Sequence, residues 1–346
     1  MNILHLQDEP WDSGIAHYAL TLAAEQARRG HRVEFWGREG SPVVDAARAL
    51  GLKASGWNRL GVLSQLRRAA EFNPRVINAH TGSSQCLAIV LAAGRSCAVV
   101  RTRGDARLAR ATPLTRFAAA RTSLFIAANS ALEASLIQAH PRARVTKITQ
   151  GVTGPDIAPP LPGQPIVGML ARFDPVKGHD VLIAAMSKLK ETTPNMRAAC
   201  AGSGTLLDAM RAKANAAGLG SRIAFPGRVE DPGAFIASCR IGTVPSLSSE
   251  AVSRATLEWM SAGRAVVASR VGGIPDLVED GVSGLLVDPG DSDGLARAFS
   301  SLLYDPGLAE SMGRAARLRW QEQFSMTRFY ESTQRAYDAA SSNLPS

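Results

Sequence analysis

The amino-acid sequence predicts an α/β protein made of two successive doubly wound domains. Short β-like runs alternate with amphipathic helical stretches through the first 150 residues, a pattern typical of a parallel sheet covered by helices. Residues 153–165 then interrupt the alternation with five prolines and two glycines, which marks a linker because such a segment forms neither helix nor central strand. The alternation restarts after the linker. A second domain is therefore expected, with a ligand cleft between the two.

The elements of each domain follow from short β-like runs. In the first domain the strands are predicted at NILHLQ, RVEFWG, VINAH, CAVVRTR, LFIAA and VTKITQG. Between the first two, IAHYALTLAAEQARRG repeats apolar residues at intervals of three and four, which predicts a helix that stops at Gly30. In the second domain the strands are predicted at PIVGML, AACAG, RIAFPG, IGTVPS, AVVAS and GLLVD. Two long amphipathic stretches, LAESMGRAARLRWQEQF and MTRFYESTQRAYDAASS, predict helices at the end.

Length and composition favour a globular protein with a full core. The chain has 346 residues, of which 45% are hydrophobic, and it contains no run of about 18 uncharged apolar residues that could span a membrane. The start, MNILHLQDEP, lacks the basic and apolar segments of a signal peptide, so a cytoplasmic location is expected. The four cysteines are scattered without a CxxC pair, and we expect them to be buried free thiols: Cys86, Cys97, Cys200 and Cys239.

The net positive charge of the chain comes entirely from residues 1–160. Residues 1–160 hold 20 Lys and Arg against 11 Asp and Glu, whereas residues 161–346 hold 19 of each, so the net charge of +9 belongs to the first part. A basic half beside a neutral half suggests an anionic partner for one domain only. The alternative is an arginine-rich surface without a partner.

Two cations follow the first strand of the second domain. PIVGML runs into ARFDPVKGHDVLIAAM, which places Arg172 and Lys177 just past the carboxyl end of the strand, with Lys177-Gly178 opening the next helix. Fixed cations beside the free amides of a helix amino terminus suit a diphosphate. A solvated pair of surface cations is the alternative interpretation.

Two acids lie in an otherwise apolar segment of the same domain. In SSEAVSRATLEWMSAGRAVVAS, Glu250 and Glu258 are eight positions apart. We expect Glu250 in a loop and Glu258 inside a helix that ends at Gly263, since one continuous helix would separate the two by about 80°. Amides near Val252 and Ser253 would then face a phosphate or a sugar, and the carboxylates would accept sugar hydroxyls. Two exposed helix acids are the alternative.

Together these stretches resemble the retaining nucleotide-sugar glycosyltransferases of family 4, also called glycosyl transferases group 1. The similarity is strongest between Val167 and Asp288, where E-x7-E is followed by M-x-x-G, V-V-A-S and V-G-G-I-P. The resemblance implies the GT-B fold, with two Rossmann-like doubly wound domains facing across a cleft. It implies an acceptor domain at 1–155, a donor domain at 156–324, and a final helix at 325–346 that crosses back onto the first domain.

The resemblance also implies roles for individual residues. Arg172 and Lys177 would hold the diphosphate of a UDP- or GDP-linked sugar and assist its departure. Glu258 would bind the ribose hydroxyls, and Glu250 would contact the transferred sugar near the reacting carbon. The loop formed by Gly227, Arg228 and Val229 would lie against the base. Neither a metal ion nor any other cofactor is expected.

The first domain departs from the family pattern in two places. The family's Gly-Gly loop before the first helix is Ser13-Gly14 here, which leaves Gly14 for the close approach to the donor phosphate. The family's histidine after the fourth strand is replaced in VVRTRGDAR by Arg103. Arg103 could steady an anionic acceptor or the transition-state phosphate, and Asp105 could orient Arg103 or touch the acceptor hydroxyl. His80 is a second candidate near the cleft, with a core histidine as its alternative.

The expected activity is the retaining transfer of a hexosyl unit to a hydroxyl of a glycan or lipid-linked acceptor. Bacterial cell-surface polysaccharide or lipopolysaccharide synthesis is the expected pathway. The stretch RLARATPLTRFAAARTSLF interleaves arginines with Leu108, Leu114, Phe117 and Leu124, so peripheral contact with an anionic membrane on its inner face is expected. Nucleic acid is not expected as a partner, because no aromatic platform accompanies the arginines.

Two other functions remain open from the sequence. The chain could bind a nucleotide sugar without transferring it, given the altered glycine loop and histidine position. It could also be a nucleotide-sugar epimerase of the same fold, which would form product without an acceptor. Asp291-Ser292-Asp293 matches a metal-binding D-x-D pattern but precedes GLARAFSSLL, so a helix cap is the favoured interpretation.

Overall fold

The computed structural model describes residues 1–9, 13–57, 61–105, 107–248 and 250–342. The chain divides into two compact units. The first comprises Met1–Gln150 together with the chain from Met326 onward, and the second comprises Gly151–Ser325. The acceptor and donor roles expected for the two domains stay predictions.

In its described residues the first unit is built on a sheet of seven parallel strands. The strands are β1 (Asn2–Gln7), β2 (Arg32–Arg38), β3 (Lys53–Trp57), β4 (Val76–Ala79), β5 (Ala98–Arg103), β6 (Leu124–Ala127) and β7 (Val145–Lys147). Their order across the sheet is β3-β2-β1-β4-β5-β6-β7. The connecting helices are α1 (Gly14–Arg28), α2 (Pro42–Ala49), α3 (Val62–Phe72), α4 (Gly82–Ala92), α5 (Pro113–Ala120) and α6 (Ser130–Ala139).

The second unit repeats this plan with six parallel strands among its described residues. They are β8 (Ile166–Leu170), β9 (Arg197–Ala201), β10 (Ile223–Gly227), β11 (Ile241–Val244), β12 (Ala265–Ser269) and β13 (Gly284–Val287), in the order β10-β9-β8-β11-β12-β13. The α-helices are α7 (His179–Lys188), α8 (Leu207–Ala216), α9 (Pro232–Ser238), α10 (Arg254–Ser261), α11 (Ile274–Leu277), α12 (Ser292–Tyr304) and α13 (Pro306–Arg319). A 3-10 turn at Pro175–Lys177 precedes α7, and a π-helical turn at Trp320–Phe324 follows α13.

The last helix, α14 (Met326–Ser341), belongs to the first unit and packs there through aromatic residues. The Asn78 side chain at β4 donates to the Tyr337 hydroxyl at 2.6 Å. The Phe329 ring meets Tyr18 of α1 edge-on, with 4.9 Å between centroids. Phe329 and Tyr337 are fully or almost fully buried, so these two residues of the helix complete the core of the first unit.

Helix α10 is fixed to the centre of the second sheet by the fully buried Trp259. Gly168 of β8 and Gly242 of β11 make room for the indole, because a Cβ atom there would lie 2.4 Å and 2.3 Å from it. Any larger residue in these strands would push α10 away from the sheet. The glycines therefore set the position of α10, which carries Glu258.

The structure corrects two sequence-based expectations and confirms one. Leu124 was expected on the exposed basic face, but it lies in β6 and is buried, because both faces of this strand are covered and all four of its residues are buried. All four cysteines were expected to be buried, but Cys86 is exposed, whereas the other three free cysteines are buried. Asp291 caps α12 as predicted, since its carboxylate accepts the amide hydrogen of Gly294 at 2.8 Å. Among the described residues, no helix is both long and apolar enough to cross a membrane.

Candidate active site

The strand order of the second sheet reverses between β8 and β11, which are neighbours at its centre. The loops that leave two such strands diverge, and in open α/β sheets ligands bind in the crevice at this point. The loop after β8 carries Arg172 and Lys177, and the loop after β11 carries Ser246 and Glu250. The backbones of the two loops are joined, since the Leu247 amide donates to the Val176 carbonyl at 2.8 Å.

A glycine permits the close approach of these two loops. Gly178 adopts a left-handed conformation with φ of 77°. A Cβ atom at this position would lie only 1.9 Å from the carbonyl oxygen of Pro245. Only glycine satisfies both the backbone angle and the space. Gly178 therefore fixes the distance between Lys177 and the loop that follows β11.

Lys177 and Glu250 form an ion pair where the two loops meet. The Lys177 Nζ atom lies 2.6 Å from Glu250 Oε1. The Ser246 hydroxyl donates to the same carboxylate oxygen at 2.7 Å. Only 4% of Glu250 is exposed. A buried carboxylate with two donors has a fixed direction, because each donor restricts its rotation.

The glycine pair of the V-G-G-I-P motif holds the main chain of Glu250. The amide of Gly273 donates to the Glu250 carbonyl oxygen at 2.7 Å. Gly272 has φ of 57°, and a Cβ atom there would lie 2.3 Å from that same oxygen. The loop after β12 thus fixes the backbone of Glu250 while Ser246 and Lys177 fix its side chain.

Arg172 lies in the loop after β8 but makes a local ion pair. Its guanidinium is 2.9 Å from Asp174 Oδ2, and 63% of the side chain is exposed. The neighbouring backbone is fixed, because the Phe173 amide donates to the Ser203 carbonyl at 2.8 Å. Gly202 allows that contact, since a Cβ atom there would lie 1.9 Å from the Ala171 carbonyl oxygen. The Gly-Ser-Gly segment thus supports the loop that carries Arg172.

The predicted base-binding loop follows β10. Gly227 has φ of 77°, and its carbonyl accepts from the Gly202 amide at 2.8 Å. Arg228 is exposed and Val229 is half-buried. Their predicted contact with a base stays a prediction.

Glu250 lies in a loop and Glu258 in helix α10, as the sequence predicts. The Glu258 carboxylate is 2.7 Å from the Arg254 guanidinium. It also lines a cavity of about 440 Å³ together with Asp231, Pro232 and Ser261. Glu258 therefore lies at the wall of a cavity whose described lining does not include Arg172, Lys177 or Glu250.

The amino terminus of α10 lacks a side-chain cap. Ser253 occupies the cap position without accepting an amide hydrogen, and its hydroxyl contacts the Thr256 hydroxyl at 2.9 Å. Val252 is the residue just before it and is half-buried. Within the described residues, the side chain of Ser253 thus leaves the amides of the first helical turn for an anion.

Of the four side chains predicted to converge in the second unit, the structure joins two. Lys177 and Glu250 are in direct contact, whereas Arg172 and Glu258 each pair with a neighbour in the sequence. Ser246 was not predicted as a site residue, although the serine four residues before Glu250 is visible in VPSLSSE.

In the first unit Gly14 begins α1, where the Ser13 hydroxyl accepts the Ala16 amide hydrogen at 3.3 Å. At the end of β5, Arg103 and Asp105 form a two-point ion pair with distances of 2.6 and 3.1 Å. Burial opposes ionisation of Asp105, but the Arg103 guanidinium outweighs it and lowers the pKa of that carboxyl. Arg103 and Asp105 therefore form a stable ion pair in which each side chain orients the other.

A second arginine of the R-T-R segment was missed by the sequence analysis. Arg101 is buried and donates to the carbonyls of Ala79 and Thr102. Burial, and then the charge of Arg103, lowers the pKa of Arg101 to about 9. Side chains two positions apart in a strand share a face. The spacing of Arg101 and Arg103 could therefore have indicated that Arg101 lies on the same side of the strand as Arg103.

His80 is a core histidine. Its Nε2 lies 3.0 Å from His5 Nδ1, and His5 Nε2 lies 2.8 Å from Gln26 Oε1. Burial lowers the pKa of His80 well below its usual value, with His5 and Arg101 acting in the same direction. The alternative interpretation from sequence is therefore the one that the structure supports.

A buried histidine beside Lys177 makes stability depend on pH. His179 stacks on Phe173 with 4.1 Å between ring centroids. Burial lowers the pKa of His179 to about 4, although Asp180 and Asp174 oppose the shift. As the pH falls, the histidine of the unfolded chain binds a proton before His179 of the folded protein does. The folded protein therefore has its full stability above about pH 6.5 and loses part of it as the pH falls toward 4.

We expect the wild type to lose about 2 kcal/mol more than His179→Phe between pH 7.5 and pH 5. Phenylalanine keeps the stacking but cannot bind a proton. Urea unfolding of both proteins at the two pH values checks this. Equal losses in both proteins would show that His179 does not supply the dependence.

In the part of the chain that the structure describes, no group of three or more His, Cys, Asp or Glu residues is arranged to hold a metal ion.

Comparison with known proteins assigns both halves of the chain to glycosyltransferase families. The model of "Glycosyl transferases group 1" matches residues 157–319, and that of "Glycosyltransferase Family 4" matches residues 13–153. Solved structures share the fold. HepE of Anabaena in complex with UDP gives a TM-score of 0.85 at 21% identity, covering 98% of this chain and 100% of that one. A glycosyltransferase of Rickettsia africae gives 0.83 at 17% identity and covers 99% of both chains.

Relatives of known function match over part of their length. A GDP-mannose-dependent α-(1-6)-phosphatidylinositol monomannoside mannosyltransferase of Mycolicibacterium smegmatis is 33% identical over 165 residues, 45% of this chain and 43% of the relative. The lipopolysaccharide core biosynthesis glycosyltransferase LpsE of Rhizobium meliloti is 34% identical over 134 residues, 39% of this chain and 38% of the relative. The chain thus matches less than half of either relative. Its two sheets and both family matches show that it has the GT-B fold and belongs to the family 4, or group 1, glycosyltransferases.

Proposed function

We propose that the chain is a retaining glycosyltransferase that moves a hexosyl unit from a UDP- or GDP-linked sugar to a hydroxyl of a glycan or lipid-linked acceptor. The observation that carries this proposal is the ion pair of Lys177 and Glu250 at the point where the second sheet reverses its strand order. A cation suits the diphosphate and a carboxylate suits sugar hydroxyls. Their contact supports a proposal in which one nucleotide sugar binds to both groups.

The donor would be held by residues of the second unit. Lys177 and Arg172 bind the diphosphate, with the amides near Val252 and Ser253 beside them. Glu258 accepts the ribose hydroxyls, and the Gly227–Val229 loop packs against the base. Glu250 accepts a hydrogen bond from a hydroxyl of the sugar that is transferred. Arg172 must leave Asp174 to reach the donor, which its exposed position allows.

The reaction needs no protein base in this proposal. The bond between the anomeric carbon and the diphosphate oxygen breaks first, and the electron pair leaves with the diphosphate. Lys177 and Arg172 stabilise that negative charge, so no metal ion is required for the step. The acceptor hydroxyl then attacks on the same face and gives its proton to the departing phosphate. The configuration at the anomeric carbon is thereby retained.

The first unit would bind the acceptor. Arg103, which is paired with Asp105, would take the place of the family's histidine, and the buried Arg101 would add a second cation nearby. Positive charge at this site suits an anionic acceptor, such as a phosphorylated glycan lipid. The relative LpsE acts in lipopolysaccharide core biosynthesis, and the mycolicibacterial relative acts on a phosphatidylinositol mannoside, which supports a cell-surface glycolipid pathway.

Thermal-shift measurements with UDP, GDP, ADP and their sugar conjugates test the proposed function. A ligand that binds only the folded state raises the melting temperature. We expect UDP or GDP, with the corresponding sugar conjugate, to raise it in the wild type but far less in Glu258→Ala. No shift with any nucleotide would refute the proposal. Binding without transfer to any lipid or glycan acceptor would instead favour a nucleotide-sugar-binding protein.

We further propose that an exposed surface around α5 contacts an anionic membrane. Leu108, Leu114 and Phe117 are 62%, 65% and 53% exposed. Arginines surround them, and the Arg121 guanidinium lies 3.7 Å from the centre of the Phe117 ring. Residues 107–121 contain four arginines and no acid. Apolar side chains within a cationic rim suit the interface of an anionic bilayer.

Flotation with vesicles of phosphatidylglycerol and phosphatidylcholine checks this surface. We expect the wild type to float at low salt and to be released at high salt, because each arginine contributes up to about 1 kcal/mol at a charged surface. Replacing both Leu114 and Phe117 by serine should weaken binding at least about tenfold. Leu63→Ser, at a residue of α3 that is 78% exposed, is the matched control and should float normally. Absence of salt-sensitive flotation would rule out the membrane contact.

A further inference from the structure

We propose that Ser246 is a positioning residue that directs the Glu250 carboxylate toward the transferred sugar. This inference rests on the proposed function. Neither the sequence motifs nor the family resemblance assigned a role to Ser246. Its hydroxyl is buried, and its acceptor is Glu250 Oε1, at 2.7 Å.

Both donors to the Glu250 side chain use the same oxygen. Lys177 Nζ is 2.6 Å from Oε1, and the Ser246 hydroxyl is bound to Oε1 as well. No described residue donates a hydrogen bond to the other oxygen, Oε2. Occupation of one oxygen by two donors orients the carboxylate, so Oε2 is the atom left to accept a sugar hydroxyl.

Lys177 alone does not maintain this orientation when a donor binds. Its ammonium is a point charge on a flexible chain, and in the proposed function it also contacts the diphosphate. Ser246 has a short side chain and is almost fully buried, so it stays on Oε1 while Lys177 adjusts. The backbone of Glu250 is fixed independently by the Gly273 amide. The hydrogen bond from Ser246 therefore keeps the Glu250 carboxylate oriented after Lys177 has turned toward the diphosphate.

A comparison of two ligands isolates this role. Calorimetric titrations with UDP and UDP-glucose, and with GDP and GDP-mannose, are carried out on the wild type and Ser246→Ala. For whichever nucleotide the wild type binds, we expect Ser246→Ala to weaken the sugar conjugate about tenfold, as for loss of a hydrogen bond to a charged group. Affinity for the nucleotide without its sugar should stay within about twofold, because Glu250 faces the sugar.

A double-mutant cycle separates a positioning role from a general structural one. If Ser246 acts through Glu250, then Ser246→Ala should cause almost no further loss in a Glu250→Ala background. Ser283→Ala removes an equally buried serine hydroxyl that contacts main chain and should leave both affinities unchanged.

Two results would overturn the inference while leaving the proposed function intact. One is an equal loss of affinity for nucleotide and sugar conjugate in Ser246→Ala, and the other is full additivity with Glu250→Ala. Failure of the wild type to bind any of the four ligands would overturn both the inference about Ser246 and the proposed function.

Discussion

Replacing Lys177 by alanine is expected to lower turnover of the nucleotide sugar by about a hundredfold to a thousandfold. The ammonium lies 2.6 Å from the buried Glu250 carboxylate and would stabilise the diphosphate as it departs. Its loss removes charge stabilisation from the transition state. It also leaves the buried Glu250 carboxylate with Ser246 as its one side-chain donor among the described residues. Both effects reduce the rate in the same direction.

Release of UDP from UDP-glucose, or of GDP from GDP-mannose, with and without a lipid extract as acceptor, measures this effect. Lys188→Ala is a matched control, because Lys188 also forms an ion pair at 2.6 Å, with Asp293, but lies at the end of α7 away from the loops. It should keep normal turnover. Near-normal release by Lys177→Ala would remove Lys177 from the proposed mechanism.

Gly178→Ala is expected to lower the free energy of unfolding by about 2–4 kcal/mol. The substitution requires a left-handed backbone from alanine and places its Cβ atom 1.9 Å from the Pro245 carbonyl oxygen. The two loops must then move apart, which breaks the hydrogen bond between Leu247 and Val176. Donor binding should weaken as well, because Lys177 moves with its loop.

Urea unfolding at pH 7.5 gives the change in stability. Gly281→Ala is the control for backbone strain alone, since Gly281 has φ of 79° and a Cβ atom there would meet nothing within 4 Å. We expect it to cost about 1–2 kcal/mol and to leave donor affinity unchanged. If the two variants lose the same stability and both bind the donor normally, the contact with Pro245 does not organise the site.

The architecture of the chain was largely predictable because strand and helix periods are local. The runs around β1, β8 and β12 have sharp boundaries and were all found. Strand β3 (Lys53–Trp57) was missed because KASGW has a lysine, a serine and a glycine in five residues, and only pairing with β2 makes it a strand. Leu124 was placed on the exposed basic face although LFIAA was also predicted as a strand; its burial follows from the covering of both faces of β6.

The sequence indicated candidate residues for the site but not the contacts between them. The spacing of Lys177, Glu250 and Glu258 identified them as candidates. Lys177 and Glu250 lie in loops that follow predicted strands, and Glu258 lies in helix α10. The pairing of Lys177 with Glu250 spans 73 residues and depends on the neighbouring positions of β8 and β11. Ser246 acquires its importance only once that pair is known. Long-range order of the sheet, which no local pattern contains, decides these contacts.

Calorimetric titration of the donor into the double variant Lys177→Ala/Glu258→Ala tests the central claim most directly. If one activated sugar is bound by loops of the second unit, removing a diphosphate contact and a ribose contact together should weaken binding at least about a hundredfold relative to the wild type. The fold should remain, as circular dichroism would show. Wild-type affinity in this double variant would contradict the account, because the donor would then bind elsewhere.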